Sequence, residues 1–256
     1  MRCYLSNLLV PTIVLSLAVA SAMDANTFPS QSNPLTRQAL ELRGGWMTPD
    51  AKDVAKLGLA VGTATTLSTK SVLEVTGNGN LDPMSVLTVR RIGGLILNYS
   101  VAAYLMLSQI NASASTAVGV GSIVTVVELA KTLFDGTHKE LGIPAEGQVI
   151  VLFITAIFSQ LLINNDSGGG NLMKIYSGWS ITNGVLMGVF AKLAIALYGS
   201  KVDAPPDLVC IVSLWGFSLI SWGTLMALLD NGMATEKALG LGALPFLFRL
   251  AVSKFV

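Results

Sequence analysis

Charged residues are scarce in this chain. Lysine, arginine, aspartate and glutamate make up 12% of its 256 residues, whereas about a quarter is usual for a soluble globular domain. So little charge cannot cover a water-facing surface of this size. Hydrophobic residues make up 52% of the chain, which excludes disorder over most of its length because disordered segments are poor in apolar residues. The formal net charge of +1 disfavours a basic nucleic-acid binder, so an integral membrane protein remains.

Residues suited to metal binding and nucleophilic catalysis are also few. The chain has two cysteines and one histidine, His138, which are too few for a Cys/His zinc site. His138 lies between Asp135 and Glu140 in a segment predicted to be a solvated loop, and one imidazole with two loop carboxylates binds zinc poorly. No phosphate-binding loop or dinucleotide-binding glycine pattern occurs. We therefore expect a protein that is not an enzyme and has no metal or cofactor.

The first 22 residues are typical of a secretory signal peptide. Arg2 supplies the positive charge, and the apolar stretch Leu8–Val19 that follows is too short to span a bilayer comfortably. Residues 20–22 read Ala-Ser-Ala, the small-x-small pattern of a cleavage site. We expect cleavage after Ala22, and an uncleaved anchor helix is the alternative. Residues 23–47 are polar, lack an apolar period and are predicted to be flexible.

The N-terminal segment also carries a resemblance. Ala-Ser-Ala-Met at positions 20–23, followed by a Ser/Thr/Pro segment with Arg37 and Arg43, resembles the bipartite presequences of proteins sent to complex plastids. Those presequences favour Phe where this chain has Met23. The resemblance implies the membrane of a complex plastid as the destination. The signal peptide by itself implies a membrane entered through the secretory pathway, which we take as the first hypothesis.

Residues 48–256 contain seven predominantly apolar runs, separated by short polar, glycine- or proline-containing loops. Each run is near the roughly 20 residues that a bilayer requires. Backbone groups in lipid must be hydrogen-bonded internally, so the runs should be helices. The sequence thus predicts an all-α polytopic membrane bundle of about seven helices, in contact with the lipid bilayer; a membrane-protein partner stays open. The predicted runs are 50–76, 90–110, 115–134, 148–163, 172–198, 206–229 and 234–256.

Two parts of the chain, residues 51–133 and 173–256, align without a large gap. The offset is 122 in the first helix and 123 after it, and the matched residues include Gly62 with Gly184, Lys70 with Lys192, Pro83 with Pro206 and Gly93 with Gly216. This pattern predicts a parallel four-plus-three internal repeat, because an even number of helices separates the two parts. Chance similarity of two apolar stretches is the alternative. The segment 82–94 also resembles small four-helix membrane proteins of unknown function, which implies no site.

Four polar residues lie within predicted spans: Lys70, Glu74, Asn98 and Glu128. A polar or ionisable residue there is costly and marks a functional hypothesis. Lys70 and Glu74 belong to a polar stripe on the first helix, which either turns inward or lies at the membrane surface. For Glu128 the alternative is an ion pair with Lys131 near the interface. Asn98 is expected to hydrogen-bond to a neighbouring helix.

Glycine and tryptophan are spaced by helical periods in three places. Gly58 and Gly62, like Gly184 and Gly188, are four residues apart and predict close helix approach. Trp215 and Trp222 are seven apart and share one helix face, which usually indicates packing or lipid contact.

Two functional hypotheses follow. The first is small-solute transport or permeation by a multi-pass membrane protein, with the polar stripe, Asn98 and Glu128 lining one cavity. The alternative is a non-catalytic membrane scaffold or assembly partner. A membrane enzyme is least favoured, because paired bases and metal ligands are missing.

Overall fold

The computed structural model describes residues 51–77, 79–108, 110, 112–165, 170–197 and 204–253. In these residues the chain forms helices joined by short turns, and no strand occurs, so the prediction of an all-α fold is confirmed. The predicted signal peptide, residues 1–22, and the polar segment 23–47 lie outside the described residues. The helices are α1 (Ala51–Leu67), α2 (Thr69–Val75), α3 (Pro83–Leu107), α4 (Ala114–Phe134), α5 (Thr137–Glu140), α6 (Ala145–Ile163), α7 (Gly170–Val189), α8 (Ala191–Leu197), α9 (Pro206–Asp230) and α10 (Thr235–Ser253).

The start of α3 differs from the prediction. The Asp82 carboxylate accepts hydrogen bonds from the backbone N–H groups of Met84 and Ser85, both at 3.0 Å, and Pro83 occupies the first helical position. A capping carboxylate followed by proline is a strong helix start. The predicted run began instead at Arg90 or Arg91. Both arginines therefore lie about two turns inside α3 rather than at its end.

The long helices alternate in direction. α1 packs on α3, α3 on α4, and α4 on α6, while α7 and α10 pack on α9. The two central helices, α3 and α9, also contact each other. We call the end of the bundle where α3, α6 and α9 begin the arginine end, because Arg90, Arg91 and Arg249 lie near it. The opposite end, where Lys174 lies 3.8 Å from Asp230, is called the far end.

Several, but not all, helix bounds fall at residues that the sequence alignment matches; α4 and α10, for example, start 121 residues apart rather than 123. α1 and α7 end 122 residues apart, at Leu67 and Val189, and α2 and α8 share both bounds at the same offset. The starts and the ends of α3 and α9 are each 123 residues apart. Packing contacts correspond as well: a Cβ on Gly62 would lie 2.8 Å from the backbone nitrogen of Leu97, and one on Gly184 would lie 2.8 Å from that of Ile220.

Length and apolar composition identify fewer spans than the seven predicted. Among the described helices, α4, α6 and α9 are long and apolar enough to cross a membrane. α7 and α8 add a fourth span if they are taken together, although they meet at an angle of 105°. This finding supports a protein with membrane-spanning helices.

Glycines allow α7 and α9 to approach at backbone distance. A Cβ on Gly184 would lie 2.7 Å from the carbonyl oxygen of Gly216, and one on Gly188 would lie 3.0 Å from the Phe217 ring. Gly62 makes the corresponding close approach of α1 to α3. The prediction of close helix approach is confirmed for these three glycines. Small residues let helices pack closely, which is how membrane helices associate without a hydrophobic driving force.

Replacing Gly216 by alanine is expected to lower the free energy of unfolding by about 1–3 kcal/mol, because a Cβ there would overlap the Gly188 backbone. Gly178→Ala in α7 is the matched control, since a Cβ at Gly178 meets no atom within 4 Å. Alanine is a better helix former than glycine, so this control should be neutral or more stable. Thermal unfolding of the detergent-solubilised variants measures both. A Gly216→Ala midpoint equal to that of the wild type would contradict the close packing.

Candidate functional site

A cavity lies between α3, α4, α6, α7 and α9, and part of its lining is at the surface of the bundle, since Trp179 is 37% exposed. Its volume is about 80 Å³, and one water molecule needs about 10–15 Å³, so it has room for several waters or one small solute. Apolar and aromatic side chains form much of the wall. The polar and aromatic residues that matter most for its chemistry are Arg91, Asn98, Glu128, Gln148, Trp215 and Trp222.

Glu128 forms a buried ion-pair network with two arginines of α3. Its Oε1 lies 3.3 Å from Arg90 Nε and 3.9 Å from Arg91 Nε. The Glu128 side chain is only 6% exposed. Arg90 also donates from Nη2 to the Thr132 hydroxyl at 2.6 Å. Burying charges costs free energy unless they are paired and hydrogen-bonded, so this network holds α3 and α4 in one register.

Arg91 extends from α3 between α6 and α9. Its Nη2 donates to Gln148 Oε1 at 2.6 Å, and its guanidinium carbon lies 5.0 Å from the centre of the Trp215 ring. That distance is within the range of a cation–π contact. Arg91 is 7% exposed, and its Nε makes no hydrogen bond within the described part of the chain.

Asn98 links α3 to α4 at the middle of the bundle. With the amide oriented so that both its ends are satisfied, Nδ2 donates to the carbonyl oxygens of Gly94 and Gly121 at 3.1 and 2.7 Å. Oδ1 then accepts a 2.6 Å hydrogen bond from the Thr125 hydroxyl. The prediction that Asn98 hydrogen-bonds to a neighbouring helix is confirmed. Asn98 is 1% exposed, so its hydrogen bonds hold α3 against α4 beside the cavity.

The predicted tryptophan face of α9 lies on the cavity. Trp215 covers Arg91, and Trp222, which is 2% exposed, packs against Tyr99 with ring centres 6.3 Å apart. The Tyr99 hydroxyl donates to the backbone carbonyl of Leu239. Trp222 is therefore an interior residue, whereas Trp215 is only partly buried.

The structure separates the four predicted polar residues into two groups. Asn98 and Glu128 line the same cavity. Lys70 and Glu74 are exposed on α2 and line a second, larger space of about 790 Å³ at the arginine end, together with Arg90 and other residues. We call this second space the outer depression. The expectation that all four line one cavity is wrong.

The packing of α1 explains why its polar stripe faces away from the cavity. Gly58, Gly62 and Thr65 are its buried residues towards the middle of the helix, and Gly62 and Thr65 meet α3 at Leu97 and Gly93. These small residues allow the closest approach, so they take the inner face. The stripe residues Lys70 and Glu74, which follow on α2, are exposed.

Two further expectations are corrected. Lys131 is exposed, and Glu128 pairs with arginines of α3, so the proposed Glu128–Lys131 pair does not form. His138 is 4% exposed, with Nδ1 3.2 Å from the Thr132 carbonyl oxygen, so it is not solvated. No group of three or more His, Cys, Asp or Glu side chains suited to a metal occurs in the residues that the structure describes.

Sequence reasoning missed Arg90, Arg91 and Gln148 as site residues. The two arginines were taken as the start of a span, although the Asp82–Pro83 pair gave the signal for an earlier start. Gln148 follows Pro144 by four residues, and nothing in its sequence context marks it. Its role depends on where α6 packs.

No protein-family model, curated protein or solved structure matches this chain. In the part of the chain that the structure describes, the protein is all-helical, several helices are long and apolar enough to cross a membrane, and a cavity between the helices is lined by the buried charged residues Arg91 and Glu128.

Glu128→Gln is expected to lower the free energy of unfolding by about 3 kcal/mol, because it leaves the buried Arg91 guanidinium and the partly buried Arg90 guanidinium without this carboxylate. Glu74→Gln, an exposed carboxylate on α2, is the matched control and should change stability by less than about 0.5 kcal/mol. Equilibrium unfolding in detergent at low salt measures the difference. Equal stability of the two variants would contradict the buried ion-pair network.

Proposed function

We propose that this protein is a seven-helix membrane protein that conducts or transports a small solute through its polar interior cavity. The observation that carries the proposal is the burial of Arg91 and Glu128 on that cavity. Charged side chains within membrane helices are rare and face functional interiors. The secretory pathway, or alternatively delivery to a complex plastid, would bring the chain to its membrane.

The seven spans proposed are α1 with α2, α3, α4, α6, α7 with α8, α9 and α10. α3 has 25 residues, the same number as α9, which is apolar enough to span by itself. The charges of α3 are Arg90 and Arg91, and both contact other helices. Arg91 is buried and Arg90 lies at the outer depression near the arginine end, which is compatible with a lipid-exposed outer face along the rest of α3.

We further propose that the chain contains a parallel internal repeat. Support comes from the matched helix bounds and from the matched contacts of Gly62 and Gly184. The central pair α3 and α9 would lie on the axis relating the two parts. In the described part of the chain, α6 has no counterpart and serves as the connection between them. Parallel repeats related by an axis along the membrane normal occur in transporters.

The route into the cavity would start at the outer depression. Arg90 lines the depression and Glu128 lines the cavity, so their ion pair forms part of the wall between the two spaces. Parting of that pair would join them. Towards the far end, the bundle core consists of packed apolar side chains that include Ala117, Val118 and Leu225, all fully buried. A second opening would therefore require helix movement, as alternating access does.

Flux in liposomes tests the proposal. The full chain is purified and reconstituted, and stopped-flow light scattering follows the entry of chloride, nitrate, acetate, urea and glycerol. We expect faster entry of at least one of these solutes than in protein-free liposomes. Gly94→Leu should abolish the difference, because Gly94 lines the cavity and a Cβ there meets no atom within 4 Å. Its side chain would fill the cavity without displacing the backbone.

Gly178→Leu is the matched control for that variant, since Gly178 is exposed on α7 and also has open space around it. It should retain the wild-type rate. If no solute enters faster than through protein-free liposomes, permeation is overturned. The scaffold hypothesis then takes its place, and it predicts co-purification of a stable complex that Gly94→Leu leaves intact.

A further inference from the structure

We propose that the interior cavity binds a small monovalent anion, with the Arg91 guanidinium as its principal contact. The inference rests on the proposed function for the location of the site, and it adds the class of solute. Binding of the anion does not itself require that the anion crosses the membrane.

Glu128 is shared between two arginines. It is the single carboxylate among the described residues that line the cavity, and Arg90 and Arg91 both lie against it. Arg90 lines the outer depression rather than the cavity, and Asp135 at the arginine end also interacts with it electrostatically. Arg91 is buried and shares its one carboxylate, so an anion in the cavity would stabilise its charge further.

The hydrogen bonds show that Arg91 is the less well compensated of the two arginines. Glu128 Oε1 is closer to Arg90, at 3.3 Å, and that contact is a hydrogen bond, whereas Arg91 Nε is 3.9 Å away. Arg91 instead donates to the neutral amide of Gln148, and its Nε is left without an acceptor within the described part of the chain. A guanidinium binds anions through the N–H groups in its plane. Trp215 covers one face of the group, which leaves an edge for the anion.

The size of the cavity limits the anion. A volume of about 80 Å³ accommodates a partly hydrated halide, nitrate or short carboxylate, and a nucleotide or sugar phosphate is too large. Glu128 on the same cavity favours a monovalent ion over a divalent one. Thr155 and Ser180 also line the cavity, but their hydroxyls donate to the carbonyl oxygens of Val151 and Leu219, so Arg91 remains the principal donor.

Tryptophan fluorescence reports directly on this site, because Trp179, Trp215 and Trp222 all line the cavity. Iodide quenches tryptophan on contact, so we expect a saturable component of quenching in the purified full chain. Nitrate and acetate, which quench weakly, should compete with it. Neutral acrylamide should show no saturable component, and caesium, a cationic quencher, should show none either.

Charge variants give opposite predictions for an anion and a cation. Arg91→Gln should raise the iodide concentration needed for half-saturation at least about tenfold, as expected for loss of a charged hydrogen-bond donor. Arg91→Lys should retain part of the binding. Glu128→Gln should bind iodide more tightly than the wild type, and iodide should raise its unfolding temperature by more than that of the wild type. Arg249→Gln is the matched control, because Arg249 bonds to Ser213 and does not line the cavity.

The outcomes separate this inference from the proposed function. Unchanged iodide half-saturation in folded Arg91→Gln, or weaker binding in Glu128→Gln, overturns the anion site. If Arg91→Gln does not fold, the sign of the Glu128→Gln effect decides. Saturable iodide binding without flux in liposomes supports the anion site and overturns transport. Flux of urea or glycerol without saturable iodide binding supports transport and overturns the anion site.

Discussion

The cost of burying charge among apolar helices is the constraint on which the rest of this structure depends. Arg91 and Glu128 are each more than nine-tenths buried, and neither position is tolerable without partners from other helices. Arg90, Gln148 and Trp215 supply those partners from α3, α6 and α9. The network thereby fixes the positions of several helices at the arginine end, and it creates the cavity because bulky charged groups keep the helices apart there.

Elsewhere in the bundle, small residues allow helices to approach one another closely. Serine hydroxyls donate to glycine carbonyl oxygens across helix pairs, at 2.7 Å from Ser159 to Gly119 and at 2.8 Å from Ser177 to Gly223. Such bonds need backbones in close contact, which only glycine allows. Tight packing along the glycine-bearing helix pairs and an open space beside the charged network are therefore two consequences of where small and charged residues lie.

Much of the fold could be predicted from composition and periodicity. The apolar runs placed α4 and α9 to within a residue of their observed bounds, because the flanking prolines, asparagines and aspartates are strong local signals. The Asn98 contact was also predictable, since a buried amide in a helix must find a partner. The break between α7 and α8 was missed, because Gly188, two residues before Phe190, was interpreted only as a point of close helix approach.

By itself, the sequence determined that the protein is helical and apolar and that Asn98 and Glu128 need interior partners, since these are consequences of local chemistry. Only the tertiary structure decided which residues meet. It brought Glu128 to Arg90 and Arg91, thirty-eight and thirty-seven residues away in sequence, and left Lys70 and Glu74 on α2 outside the cavity. Pairing of this kind depends on how helices pack against one another, which the pattern along any single helix does not encode.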